Sequence, residues 1–213
     1  MAFPAATSTV STLAALTALL ATWDTDWSGT ASSLGISTGA SRYVDLDDGS
    51  YGQLDLADLV FPEMVYVRGA TKTTPAARVT GLEISDCTNI TIQFFKTDRT
   101  GTGHGGQTIY FRDTTTFCGA EYYYFLGDPE ATASTGGYGV RLESDCADCF
   151  LRECVFESWR VGVYNNFADR FEITKCLFRR MAGDDMKLGG QVDAVIDRNW
   201  FSRVKVNYAS GDH

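Results

Sequence analysis

The chain has 213 residues, with 27 Asp and Glu against 18 Lys and Arg and a formal net charge of −9. A field of that sign repels a polyanion, so sequence-independent binding of nucleic acid is excluded, while the length suffices for one domain with a sizeable core. No apolar run approaches the ~20 residues that a bilayer-spanning helix needs, so membrane insertion is not expected. Glycine is plentiful (21), proline is scarce (4), and Val, Ile, Phe and Tyr recur in short runs, which favours many short strands over long helices.

The first segment, MAFPAATSTVSTLAALTALLATW, superficially suggests a secretion leader. Its first positive charge is Arg42, however, and Thr and Ser break up its apolar residues. Val10, Leu13, Leu16, Leu20 and Trp23 follow three- and four-residue steps, which predicts an amphipathic helix over about 7–23 with Ser8 or Thr9 as its N-cap. Residues 1–40 are therefore read as a capping helix and lead-in, and 41–213 as the body.

Six cysteines stand at 87, 118, 146, 149, 154 and 176. Cys146-Ala-Asp-Cys149 has the spacing of a zinc-ligand pair, but no second pair or histidine completes it, His104 and His213 being the only histidines. Buried free thiols packing as small hydrophobes are expected, made in a reducing cytoplasm.

The second half repeats. Phe150-Leu-Arg-Glu-Cys-Val-Phe156 is followed by Glu172-Ile-Thr-Lys-Cys-Leu-Phe178 and Val195-Ile-Asp-Arg-Asn-Trp-Phe201. Leu151/Ile173/Ile196, Cys154/Cys176/Asn199 and Phe156/Phe178/Phe201 each recur after 22 and 23 residues, and Val140/Val163/Met186 after 23. A period in the low twenties with several short strands per repeat predicts a solenoid. A leucine-rich repeat would show its leucine-asparagine framework and a helix per turn, and neither is visible. The expectation is an all-β, right-handed parallel β-helix whose columns stack at ~4.8 Å, with Leu/Ile/Ile, Val/Val/Met and Phe/Phe/Phe inside and Cys/Cys/Asn at an inward bend.

Earlier coils are looser: 78–84 with 89–94, then 108–111 with 121–126. Ser-Asp-Cys recurs at 85–87 and 144–146, at bends taken as equivalent. The Gly/Thr-rich pieces 97–106 and 127–139 interrupt the period and read as loops. His104, in the first of them, is read as a loop residue.

The amphipathic N-terminal stretch, then Asp45-Leu-Asp-Asp-Gly-Ser-Tyr-Gly-Gln-Leu-Asp-Leu56, then coils of this period, resembles the β-helix proteins of the pectate-lyase-like superfamily. Leu46, Asp48, Gly49 and Tyr51 match the L-x-D-G-x-Y stretch common in their first coil. The resemblance covers nearly the whole chain and implies the fold more firmly than any activity. It implies one of two functions. One is a phage or phage-like tail fibre or spike, a homotrimer in a virion, assembled in host cytoplasm beside other tail proteins and contacting cell-surface polysaccharide. The other is a secreted polysaccharide lyase cleaving a uronate polymer by β-elimination, with glycoside hydrolysis as the further enzymatic option.

The stretch Gly183-Asp-Asp-Met-Lys-Leu-Gly-Gly190 carries the candidate site. With Met186 inward, Asp185 and Lys187 point outward. One and two coils earlier the matching positions are Gly162 with Tyr164 and Gly139 with Arg141. Arg141, Tyr164 and Lys187 should then form an outward column with Asp185 beside it, and the glycines a trough for a saccharide. The resembling lyases use a Lys or Arg base and a cation on the substrate carboxylate. On that resemblance Lys187 and Arg141 are the candidate catalytic residues, Tyr164, Arg141, Lys187 and Asp185 the candidate substrate contacts, and Asp184 and Asp185 candidate Ca²⁺ ligands. Two further columns, Arg152/Thr174/Asp197 and Glu153/Lys175/Arg198, read as solvated charge ladders, and at least one ring of Tyr122-Tyr-Tyr124 should face out. The segment from Val204 onward begins another coil without a cap, which suggests a longer polypeptide or a covering partner.

Overall fold

The computed structural model describes residues 3–35, 37–98, 107–128, 137–190 and 193–202. Strands of two to ten residues fall into three sheets of eight, seven and six strands, here sheets I, II and III. From Arg42 onward the chain visits sheets I, II and III in strict rotation, and every pairing is parallel. The result is a parallel β-helix of about six coils.

Strand register fixes the core. In sheet I the inward column runs Val44–Val67–Ile92–Ala120–Leu151–Ile173–Ile196. In sheet II it runs Val79–Thr97–Phe125–Phe156–Phe178–Phe201. Sheet III contributes Leu54–Leu82–Ile109–Val140–Val163–Met186. The columns expected from the sequence are all present, and most of their members are fully buried. At the final described coil Val195, Ile196, Trp200 and Phe201 are exposed.

Each coil bends through single residues held in the left-handed region. One bend, entering sheet I, uses Asn89, Phe117, Asp148, Arg170 and Asp193. The next, between sheets I and II, uses Phe94, Tyr122, Glu153, Lys175 and Arg198. None is glycine, although an L-residue there costs about 1–2 kcal/mol. The stacked bends repay this with cross-coil hydrogen bonds, such as Glu153 N–H to Thr174 O and Lys175 N–H to Asp197 O. Just beyond the second bend, the Asn199 side chain accepts from Cys176 N–H at 2.8 Å and donates to Ile173 O at 2.9 Å. The expected inward Cys/Cys/Asn bend is therefore real. Cys87 and Cys146 also occupy equivalent bends, since Thr88 bridges Thr116 and Thr116 bridges Ala147.

The N-terminus differs from expectation. Residues 8–10 form strand β1 (Ser8–Val10), paired parallel with β2 (Arg42–Leu46). Helix α1 spans Leu13–Thr25, and its N-cap is Thr12, whose hydroxyl accepts from Ala15 N–H at 3.1 Å. The β-branched run Thr7, Thr9, Val10 gains more from an open sheet edge than from a helix turn. A second helix, α2 (Trp27–Leu34), was not anticipated; Asp26 caps it and Gly35 ends it at φ 67°. Leu16, Leu20 and Trp23 do form the buried face. In the first coil Asp48 accepts from Thr71 N–H, and the Tyr51 hydroxyl donates to Asp47 O. The two interrupting loops fall largely, and His104 and the segment from Val204 wholly, outside the described residues.

Candidate functional site

On sheet III the outward residues are in register across six strands: Asp55–Glu83–Tyr110–Arg141–Tyr164–Lys187. The structure brings Arg141, Tyr164 and Lys187 together in one column, and extends it by Tyr110, Glu83 and Asp55. The Arg141 guanidinium centre lies 5.1 Å from the Tyr110 ring centroid, and Lys187 Nζ lies 5.9 Å from that of Tyr164. Tyr138 and Tyr164 stack at 5.0 Å and 23°. Cation and ring alternate up the face, each ring steadying a charge.

Glu143 organises the upper part. It accepts from the Tyr110 hydroxyl at 2.6 Å, from Arg141 Nη2 at 2.6 Å and from Asn166 Nδ2 at 3.1 Å. The Tyr110 hydrogen bond is the main reason its carboxyl sits below the usual range, Asn166 and Arg141 adding to it. Burial and the same carboxylate push the Tyr110 hydroxyl up. Arg141 Nε is buried and meets no hydrogen-bond partner among the described residues.

Sequence reasoning missed Tyr110, Tyr138, Glu143 and Asn166. Tyr110 stands 31 residues before Arg141, because the chain between them carries an insertion, and no period points to it. Glu143 lies just past its strand, where a turn decides direction.

The glycine trough is not there. A Cβ on Gly139 would come within 2.6 Å of Gly162 O and 2.9 Å of the Phe156 ring; one on Gly162 would meet Asp185 O at 2.5 Å and the Phe178 ring at 2.9 Å. These glycines let sheet III approach the inner phenylalanine stack, so their empty side faces the core. Asp184 is exposed and Asp185 half-buried on strand Asp184–Leu188. Among the described residues no three His, Cys, Asp or Glu side chains converge as a metal site. Two neighbouring carboxylates fall well short of the 6–8 oxygens that Ca²⁺ takes, so the residues present do not by themselves fit calcium.

The other ladders are ion-paired within themselves. Lys175 pairs with Glu153 at 3.2 Å, and Arg152 spans Glu121 and Glu172 at 3.3 and 2.6 Å. Tyr123 is buried against Thr97, Tyr122 stacks on Phe94 at 5.1 Å, and Tyr124 is half-buried with its hydroxyl donating to Glu157. All six cysteines are buried and unpaired.

No family model matches the chain, and no curated protein matches it either. Among solved structures it is similar to a protein of Parabacteroides merdae ATCC 43184 provisionally described as a glycosyl hydrolase. The identity is 10%, the match covers 90% of this chain and 89% of that one, and the TM-score is 0.35. A likeness this low carries no argument about chemistry.

Proposed function

We propose that this chain is a pectate-lyase-like β-helix of a phage or phage-like tail fibre or spike, contacting a carboxylate-bearing cell-surface polysaccharide along the outer column of sheet III. The observation that carries this reading is the alternation Tyr110–Arg141–Tyr164–Lys187, one residue per coil. At strand spacing, successive rings and successive cations are each about 9.6 Å apart, a repeat suited to a repeating polymer. Tyrosine faces take the apolar side of a pyranose, and the cations take its carboxylates.

Binding is favoured over turnover. Arg141 is closed on Glu143, and Lys187 is exposed to water, whereas a base working at neutral pH is usually desolvated or set beside another charge. Six buried unpaired thiols suit a protein folded in a reducing cytoplasm, as a particle protein is. A homotrimer and other tail proteins are the proposed partners.

The test is calorimetric titration with oligouronates, with and without calcium, beside ultraviolet detection of unsaturated product. Binding without new absorbance is expected. Absorbance that grows and is abolished by Lys187→Ala would establish the lyase instead. No binding to any acidic glycan overturns the reading.

A further inference from the structure

A concave surface lies on sheet I, away from the column on sheet III. Its outward column reads Tyr43–Tyr66–Thr91–Gly119–Phe150–Glu172–Val195. Thr91 and Gly119 are small residues between larger ones, which leaves a dip. The Phe150 ring folds back over Gly119, where a Cβ would come within 2.4 Å of it, and Met64 Sδ covers the Thr91 hydroxyl at 3.0 Å. These two side chains make the floor. One wall is the bend column Asn89, Phe117, Asp148 and Arg170; the other is Glu121 and Arg152. The cleft measures about 340 Å³, at the small end of ligand sites.

Its polar groups are held in place before any ligand arrives. Arg152 donates to Glu172 through Nε at 2.9 Å and Nη2 at 2.6 Å, to Glu121 through Nη1 at 3.3 Å, and lies 4.2 Å above the Phe150 ring. Gln93 Nε2 donates to Glu121 at 2.7 Å. Arg170 grips Asp148 with two bonds of 2.7 Å. Each carboxylate keeps lone pairs free for hydroxyl donors.

Phe117 is one of two exposed phenylalanines held in the left-handed region, the other being Phe167 at φ 68°, and of the two it is Phe117 that lines the cleft. It is 50% exposed and sits at φ 52°, where a bulky side chain is strained. The same bend in other coils carries Asn89, Asp148, Arg170 and Asp193, all polar and mostly of the types that tolerate this conformation. Among the described residues no ring stacks on Phe117, which stands half exposed at the rim of the cleft.

We propose that this cleft binds a short stretch of uncharged hexose chain. Sugar C–H faces lie on Phe117 and Tyr66, and hydroxyls donate to Glu121, Asp148 and Glu172. With three carboxylates against two guanidiniums, the lining is net negative and disfavours a uronate. The inference uses no residue of the sheet III column and stands even if that face binds nothing.

The test is amide-resolved NMR titration of the whole chain with maltotetraose, cellotetraose and tetragalacturonate at millimolar concentration. A neutral tetrasaccharide is expected to shift amides around 117–121 and 148–152, with tetragalacturonate leaving them in place. Phe117→Asn, which suits the left-handed bend, should raise the unfolding midpoint and weaken neutral-sugar binding at least ten-fold. No shift with either neutral sugar overturns the proposal, as does undiminished binding by a folded Phe117→Asn. Neutral-sugar binding lost with Lys187→Ala but kept with Phe117→Asn would place the ligand on sheet III, so that this inference fails while the sheet III reading survives.

Discussion

Phe156 and Phe178, one coil apart, stack with ring centroids 4.7 Å apart and planes 4° from parallel. Parallel in-register pairing forces this: residues 22 positions apart occupy the same place on adjacent strands, at the strand spacing, and two rings at that spacing can only lie face over face. The stack continues through Phe125 at 4.4 Å and Phe201 at 5.2 Å. A ring with neighbours on both sides contributes more than one at the end.

Phe156→Ala should accordingly cost about 3–5 kcal/mol, the range for deleting a buried phenylalanine. Phe201→Ala should cost clearly less, since Phe201 is 44% exposed. Urea unfolding midpoints of the two variants decide; equal losses would mean that the stack does not carry core stability.

Gly162→Ala tests the close approach of sheet III to that stack. Its Cβ would collide with Asp185 O, a backbone atom that cannot rotate away. A loss of about 1–3 kcal/mol is expected, the usual cost of overpacking. Gly52→Ala is the control: nothing lies within 4 Å of its would-be Cβ, so it should be neutral or stabilise by up to about 1 kcal/mol through the unfolded chain. Calorimetric melting of both variants is the measurement.

The sequence revealed the fold where coils keep one period, and lost it where they do not. Columns at 22 and 23 residues exposed the inward Leu, Val and Phe positions and the outward Arg141–Tyr164–Lys187 line, because strand alternation ties every neighbour to a face. Tyr110 and Glu143 stayed hidden behind the 31-residue coil and a turn. The bends were illegible for another reason: Phe94, Tyr122, Glu153, Lys175 and Arg198 adopt a left-handed conformation that their residue types do not advertise. The glycines misled, since a missing side chain marks a close approach without saying on which side. At the N-terminus, apolar residues at helical spacing include Val10, but the sheet edge claimed it.

Alkaline pH should destabilise the protein through its thiols. Burial pushes Cys87 up to about 11 and raises Cys118 further. A folded value above the unfolded one, about 8.5, gives a contribution fully present below that value and lost as pH climbs toward 11 and beyond. Unfolding midpoints should fall across that window, and Cys87→Ala should remove part of the fall. Native protein near neutral pH should leave all six thiols unreactive to a disulfide reagent until denaturant is added.

The acid limb should report Glu143. Its carboxyl is held low, chiefly by the Tyr110 hydroxyl, so its stabilising contribution is present above the ordinary carboxylate range and lost as pH falls through the depressed value. Tyr110→Phe removes the largest cause and should move the Glu143 titration up, read by NMR of the side-chain carboxyl. An unchanged titration would mean that Asn166 and Arg141 alone hold it.

The last prediction separates two adjacent residues. Lys187 is exposed on the outer face of its strand, and Met186 is packed against the core below Val163. Lys187→Ala should change stability by less than about 0.5 kcal/mol, as surface substitutions usually do. It should weaken binding of a carboxylated saccharide, because it removes one of the two cations of the column. Met186→Asp should do the opposite, placing a carboxylate among apolar side chains with no partner and disrupting folding. A binding fibre loses only affinity with Lys187→Ala, whereas a lyase loses turnover, so the same variant measured by calorimetry and by ultraviolet absorbance sorts the two functions. Should Lys187→Ala unfold the chain while Met186→Asp is tolerated, the register would be displaced by one residue. Every side chain of the column would then face inward, and the binding face on sheet III would be lost.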